Sequence, residues 1–258
     1  MQKIITVTRK EWAEVFKNRF VLFTVAFMPL LFTILPLILV SQGEAMGGTG
    51  DIPPEIVEMC ADLGGEECIQ SFLVQQFVVF YMIIPIMIPV TIASYSIVGE
   101  KTTRTLEPVL ATPITTVELL AGKALAGVLP ALAATWGSYA LFYIGLTLLL
   151  GNPAVTAVLT QPLWLLAIFV LGPLLSVLGV SLAVMISSRV NDPRIAEQLS
   201  AMVVVPLVFL FIAQVSGFVT LSMTTMAYGA LALAVIDLGL LYFASQIFQR
   251  ETILTRWK

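Results

Sequence analysis

Residues 72–98 read FLVQQFVVFYMIIPIMIPVTIASYSIV, a run without a single charge. As one helix it would be ~40 Å long at ~1.5 Å per residue, more than the ~30 Å hydrocarbon core of a bilayer, so it has to tilt or project. Outward from it, five similar runs occupy 20–40, 124–150, 163–186, 199–218 and 226–247. With 59% hydrophobic and 11% charged residues and a mean hydropathy of +0.98, the chain has too much apolar surface for a soluble domain to cover. The pattern defines an all-α integral membrane protein, one domain over residues 1–258 with six transmembrane helices.

The charges orient those helices. Residues 41–71 hold Glu44, Asp51, Glu55, Glu58, Asp62, Glu66 and Glu67 and no base, whereas every Lys and Arg lies before span one, after span six, or between spans two and three or four and five. Basic loops resist translocation, so both termini are expected in the cytoplasm, 41–71 forms an extracytoplasmic loop, and the protein is multi-pass in the cell membrane. The first run exceeds the apolar core of a cleavable signal and stays as a span. Absence of His removes the commonest metal ligand and pH switch.

Before span one, residues 1–19 read as an amphipathic interfacial helix. Thr8 is placed to cap it and Glu11 to return the bond; Trp12, Val15 and Phe16 share a face, with Arg9, Lys10, Glu14 and Lys17 mostly elsewhere. The alternative is a plain extension of span one into water. In the outer loop, Cys60 and Cys68 are the only cysteines, one on each side of the Gly64-Gly65 turn. They are either a disulfide staple or two separate thiols.

Between spans two and three, Gly99 to Gly127 read GEKTTRTLEPVLATPITTVELLAGKALAG. Pro108 and Pro113 break this stretch into two short helical pieces. Thr115 and Glu118 have capping-box spacing, and Lys123 is placed to snorkel as the following helix enters lipid. Residues 99–123 are thus a cytoplasmic segment whose part from Thr102 to Ala111 lies across the membrane face.

This stretch resembles the inner-loop signature of ABC-2 type transporter permeases through Glu100, Thr105-Leu106-Glu107, Val109-Leu110, Thr112-Pro113, Glu118 and Gly122-Lys123, and residues 187–200 resemble the family's segment between spans four and five. The resemblance implies the type V exporter fold: a permease working as a dimer, with a second copy or a paralogue, beside two separate ABC ATPase subunits. It implies a coupling helix that docks in the ATPase, carried here by Thr102, Arg104, Thr105, Leu106, Glu107, Val109 and Leu110. It also implies an interfacial ion pair between Glu100 and Arg9, Lys10 or Lys17. ATP and Mg belong to the partner, because the chain has no Gly-x-x-x-x-Gly-Lys-Ser/Thr with which to cradle a nucleotide. No cofactor, metal, catalytic residue or nucleic-acid partner is expected; the other contacts are membrane lipids.

Asp237 lies about halfway along span six, where a carboxylate costs ~2.5–3.5 kcal/mol and is a functional candidate by default. It is either a protonated structural residue or a group that meets substrate or a cation. Gln75, Gln76 and Tyr81 with Gln214 are candidates for a substrate path or for ordinary interhelical hydrogen bonding. A secondary transporter driven by an ion gradient through Asp237 is the rival reading; it predicts more intramembrane charges and repeat symmetry between halves, and neither is visible. Pro29, Pro36, Pro85, Pro89, Pro130, Pro173 and Pro206 are expected to loosen their spans locally.

Overall fold

The computed structural model describes residues 1–42, 65–103, 105, 114–216, 218–219 and 221–247. Among them every regular element is helical. The leader is a helix of its own, α1 (Gln2–Val15), starting well before Thr8. The expected Thr8–Glu11 capping box is therefore absent: Thr8 sits in mid-helix and its hydroxyl donates to Ile4 O at 3.0 Å. Asn18 ends the extension reading, because its extended backbone breaks the chain and its Oδ1 accepts from Phe20 N at 3.0 Å to start α2 (Arg19–Ser41), span one.

Span two departs from the single rod expected over 72–98. It is two helices end to end, α3 (Gly65–Tyr81) and α4 (Ile84–Thr102). Pro85 has no N–H to give and its ring would strike Tyr81 O in a continuous helix. The chain tightens instead, with Met82 N and Ile83 N donating to Val79 O and Phe80 O, three residues back.

Span three is α5 (Thr116–Leu150), 35 residues and ~52 Å long, reaching inward of the expected 124. Its start carries the full Thr115–Glu118 capping box, with both bonds present. Gly151, at φ 61°, ends it in the left-handed conformation that glycine adopts without strain. Asn152 then caps the short outer helix α6 (Pro153–Ala157) and donates to Glu67 at the head of α3 at 2.9 Å. Span four is α7 (Pro162–Leu166), a π turn (Ala167–Leu171) and α8 (Gly172–Ser187). The widened turn lies just before Pro173, where a regular helix would set the proline ring against Phe169 O.

Span five starts at Pro193, not 199: Asp192 caps α9 (Pro193–Ala201), so most of the expected inner loop at 187–200 is helix. A 3-10 turn (Met202–Val204) leads to α10 (Val205–Val215). Span six is α11 (Met223–Ile247).

The six spans differ sharply in burial. The apolar window of span two is 78% buried, against 22% for span one and 11% for spans five and six. Span two is therefore the central post, and the others present apolar faces outward, as lipid requires. Small residues let helices meet it closely. A Cβ on Gly179 of α8 would lie 2.9 Å from Ile86 O of α4, and one on Gly127 of α5 would lie 3.2 Å from Pro89.

Candidate functional site

Four ionisable side chains that sequence reading placed in three different roles converge at the inner end of span two. Glu100 (α4) and Glu11 (α1) are buried, at 4% and 2% exposure, and so is Lys123 (α5) at 3%. Lys123 Nζ lies 2.8 Å from Glu11 Oε1 and 2.6 Å from Glu100 Oε2, and donates to Ser96 Oγ at 2.9 Å. Ser96 Oγ in turn donates to Glu11 Oε2. Lys10 closes the ring by pairing with Glu100 and reaching Glu11 at 3.8 Å and Glu14 at 3.3 Å. Two buried carboxylates are thus matched by two ammonium groups, which is the condition under which such charges persist away from water.

Close helix packing makes the ring possible. A Cβ at Gly122 would lie 2.7 Å from Val7 Cβ, so only glycine lets α1 lie this near α5. Thr8 Oγ1 donates to Gly122 O at 3.1 Å and Trp12 Nε1 to Ala126 O at 2.9 Å, fixing α1 in register one turn at a time. The buried stripe of α1 is Val7, Thr8, Glu11 and Val15, at helical spacing. Lys10 is only partly exposed; burial works to lower its pKa, but the hydrogen bond and charge of Glu100, with Glu11 and Glu14, raise it above the ordinary lysine value.

The expected pairing of Glu100 with the leader helix is met by Lys10. Arg9 and Lys17 are exposed and stand outside the ring. Lys123 does not snorkel: its ammonium has two carboxylates to satisfy it inside the bundle, a better partner than the distant headgroups. Sequence reading missed Lys123, Glu11 and Ser96 as members. The signal was the spacing of Thr8, Glu11 and Val15, which sets a carboxylate on the packed face and demands a cation opposite.

The same end of span two is tied elsewhere. Lys101 Nζ donates to Ser188 O and Val190 O, at 3.1 and 3.3 Å, where α8 ends. Thr91 Oγ1 donates to Glu197 of α9 at 2.6 Å. Beside the ring opens a polar cleft of ≈ 420 Å³, lined among others by Glu14, Asn18, Tyr95, Glu100, Thr105 and Pro193. From this hub the chain leaves α4 at Thr102. Thr102 and Thr105 are exposed, Thr102 Oγ1 donating to Val98 O and Gly99 O and Thr105 N to Glu100 O. Arg104, Leu106, Glu107, Val109 and Leu110 lie outside the described residues.

The other candidates are scattered. Tyr81 is fully buried, its ring against Tyr139 and Phe142 of α5 and its hydroxyl 3.5 Å from Thr33 Oγ1 of α2, a core position. Gln75 is half-buried. Gln76 is buried, and its Oε1 and that of Gln214 have no hydrogen-bond partner among the described residues. The Phe80–Phe211 ring contact, 4.3 Å between centroids, joins α3 to α10, which run antiparallel, and so sets the two glutamines at one level. Asp237 is 4% exposed and neither of its oxygens has a partner among the described residues. Cys68 is buried and disulfide-bonded; Cys60 lies outside the described residues.

Six helices long and apolar enough to cross a membrane define a multi-pass membrane protein. The chain belongs to the ABC-2 family of transporters: the model of that family, described as ABC-2 family transporter protein, matches residues 5–248. A search of curated proteins finds no match. Members of this family are membrane transport components that associate with ABC ATPases.

Proposed function

We propose that this chain is the permease subunit of an ATP-driven ABC exporter, working as a pair with a second copy or a paralogue in the cell membrane, with both termini cytoplasmic. ATP and Mg are bound and used by separate ATPase subunits. The observation that carries the reading is the ionic hub, which fastens α1, α4 and α5 together close to Thr102, where α4 ends, and Thr116, where α5 begins. A push on that segment is delivered to spans two and three as one body, since packed helices joined by buried charges move rather than bend. In this reading α1 lies along the inner leaflet, Thr102 to Ala111 form the coupling helix, and Cys60 pairs with Cys68 to staple the outer loop. Gln75, Gln76, Gln214 and Asp237 are the polar groups nearest to any cargo.

The test is reconstitution in proteoliposomes with the ABC ATPase. Glu107→Arg, or deletion of residues 102–111, is expected to abolish stimulation of ATP hydrolysis while the six spans still insert. Normal binding and stimulation by either variant would overturn the coupling assignment. The buried carboxylate of Asp237, which has no hydrogen-bond partner among the described residues, supports a second reading, transport driven by an ion gradient. That reading requires transport by the chain without the ATPase, and its loss in Asp237→Asn.

A further inference from the structure

Helix α1 has three sides around its axis. Val7, Thr8, Glu11 and Val15 are buried against the bundle. At the helical period, Ile5, Trp12 and Phe16 fall on one flank of that stripe, Lys3, Lys10 and Glu14 on the other, and Thr6, Arg9 and Ala13 along the ridge that faces away. Ile5 is 50% exposed and Trp12 and Phe16 are half-buried, so the first flank is an apolar edge. A helix lying in a bilayer surface turns such an edge toward the acyl chains and its charged flank toward water. The ridge between them is then level with the phosphates, and Arg9 stands on it. Arg19 begins span one immediately before Phe20, Leu22 and Phe23, each more than half exposed, as lipid-facing side chains are. Lys17 lies in the short link between the two helices.

The ion pairs of this region say what faces these three bases. Arg9, Lys17 and Arg19 are exposed, and none of them pairs with a carboxylate among the described residues. The acids of α1, α4 and the head of α5 are already engaged: Glu118 with Lys3, Glu14 with Lys10, and Glu11 and Glu100 with Lys10 and Lys123. The remaining charge is of one sign and gathers on the outward side of α1 and the start of span one. An ordinary solvated face intersperses both signs. The complement of an unmatched basic row beside an apolar edge is a surface that is anionic where it meets water and apolar beneath. A bilayer with anionic headgroups has that make-up, and each base held near it strengthens attachment about fivefold.

We propose that Arg9, Lys17 and Arg19 form a recognition surface for anionic phospholipid headgroups of the inner leaflet, which hold α1 and the start of span one at the membrane surface. The inference rests on the reading that α1 lies along the inner leaflet, and not on how transport is driven. The full chain is reconstituted in nanodiscs of phosphatidylcholine with a minor share of phosphatidylglycerol, a trace of one or the other carrying a photoreactive headgroup, and adducts are mapped by peptide mass spectrometry. In wild type the phosphatidylglycerol probe is expected to label residues 1–20 at least about fivefold more than the phosphatidylcholine probe. Arg9→Gln, Lys17→Gln and Arg19→Gln combined should remove the preference with thermal unfolding in detergent unchanged, and Arg9→Lys, which keeps the charge, should label as wild type does. Salt at about 1 M, where the screening length is ~3 Å, should erase the preference in wild type as well. Equal labelling by the two probes in wild type, or a preference kept by the triple variant, overturns the proposal. A fluorophore on Ile5→Cys, in a chain carrying Cys60→Ser and Cys68→Ser, separates the two ways of failing. Emission of a bilayer-buried dye together with equal labelling refutes the recognition of anionic lipid alone, whereas emission of a water-exposed dye refutes the placement of α1 and the proposal with it.

Discussion

Lys123 holds two buried carboxylates, and that fixes the outcome of its removal. Lys123→Met leaves Glu11 and Glu100 with only Lys10 between them, and breaking a buried ion network from one side costs about 3–5 kcal/mol. Thermal unfolding in detergent should show that loss, whereas Arg9→Ala and Lys17→Ala, both at exposed positions, should change stability by less than about 0.5 kcal/mol. Glu100→Gln combined with Lys123→Met should cost less than the sum of the two single changes, because the pair then disappears together. Lys10 adds a sign test. Its pKa is raised on folding, so its contribution is complete below the ordinary lysine value of 10.5 and is lost only as pH rises above it. Stability measured across the neutral range should therefore show no loss from this group. That Glu100 meets a leader-helix base was implied only by the family resemblance, which left Arg9, Lys10 and Lys17 open; the structure pairs it with Lys10. Those three differ only in which way a helix turns, and the turn is set by Gly122 letting Val7 and Thr8 come close.

At the scale of elements, hydropathy located all six spans, since each carries an apolar run long enough to cross a bilayer whatever its internal shape. It did not locate the breaks. Pro29, Pro36, Pro89 and Pro130 sit inside continuous helices, yet Pro85 splits span two. The residue type is the same in each case, so residue type alone does not place the break. Pro85→Ala should let α3 and α4 merge, which a longer distance between spin labels placed on the two halves would report. The close contacts give a sharper prediction. Gly179→Leu must push α8 away from the Ile86 carbonyl of α4, an overpacking that costs about 1–3 kcal/mol and should lower the yield of folded protein. Gly122→Ala meets the Cβ of Val7 and should loosen α1 from α5, seen as faster hydrogen exchange over residues 2–15.

For the whole molecule, the segregation of bases from the acidic residues of 41–71 predicts an orientation that no single helix carries. Span two is the axis on which that orientation acts: buried along most of its length, tied at its inner end to α1, α5, α8 and α9, and continuous with the segment from Thr102 onward. Spans one, five and six expose large apolar side chains on their outward faces, as helices that cross a bilayer do. In the proposed function, the segment leaving this hub meets an ATPase on the inner face. Thr105→Cys, made in a chain carrying Cys60→Ser and Cys68→Ser, reads it directly when treated with a short bifunctional thiol reagent in membranes that contain the ATPase. A cross-linked product containing the ATPase is expected, with labelling by impermeant reagents only from the cytoplasmic side; labelling from outside, or a product without the ATPase, would refute that contact.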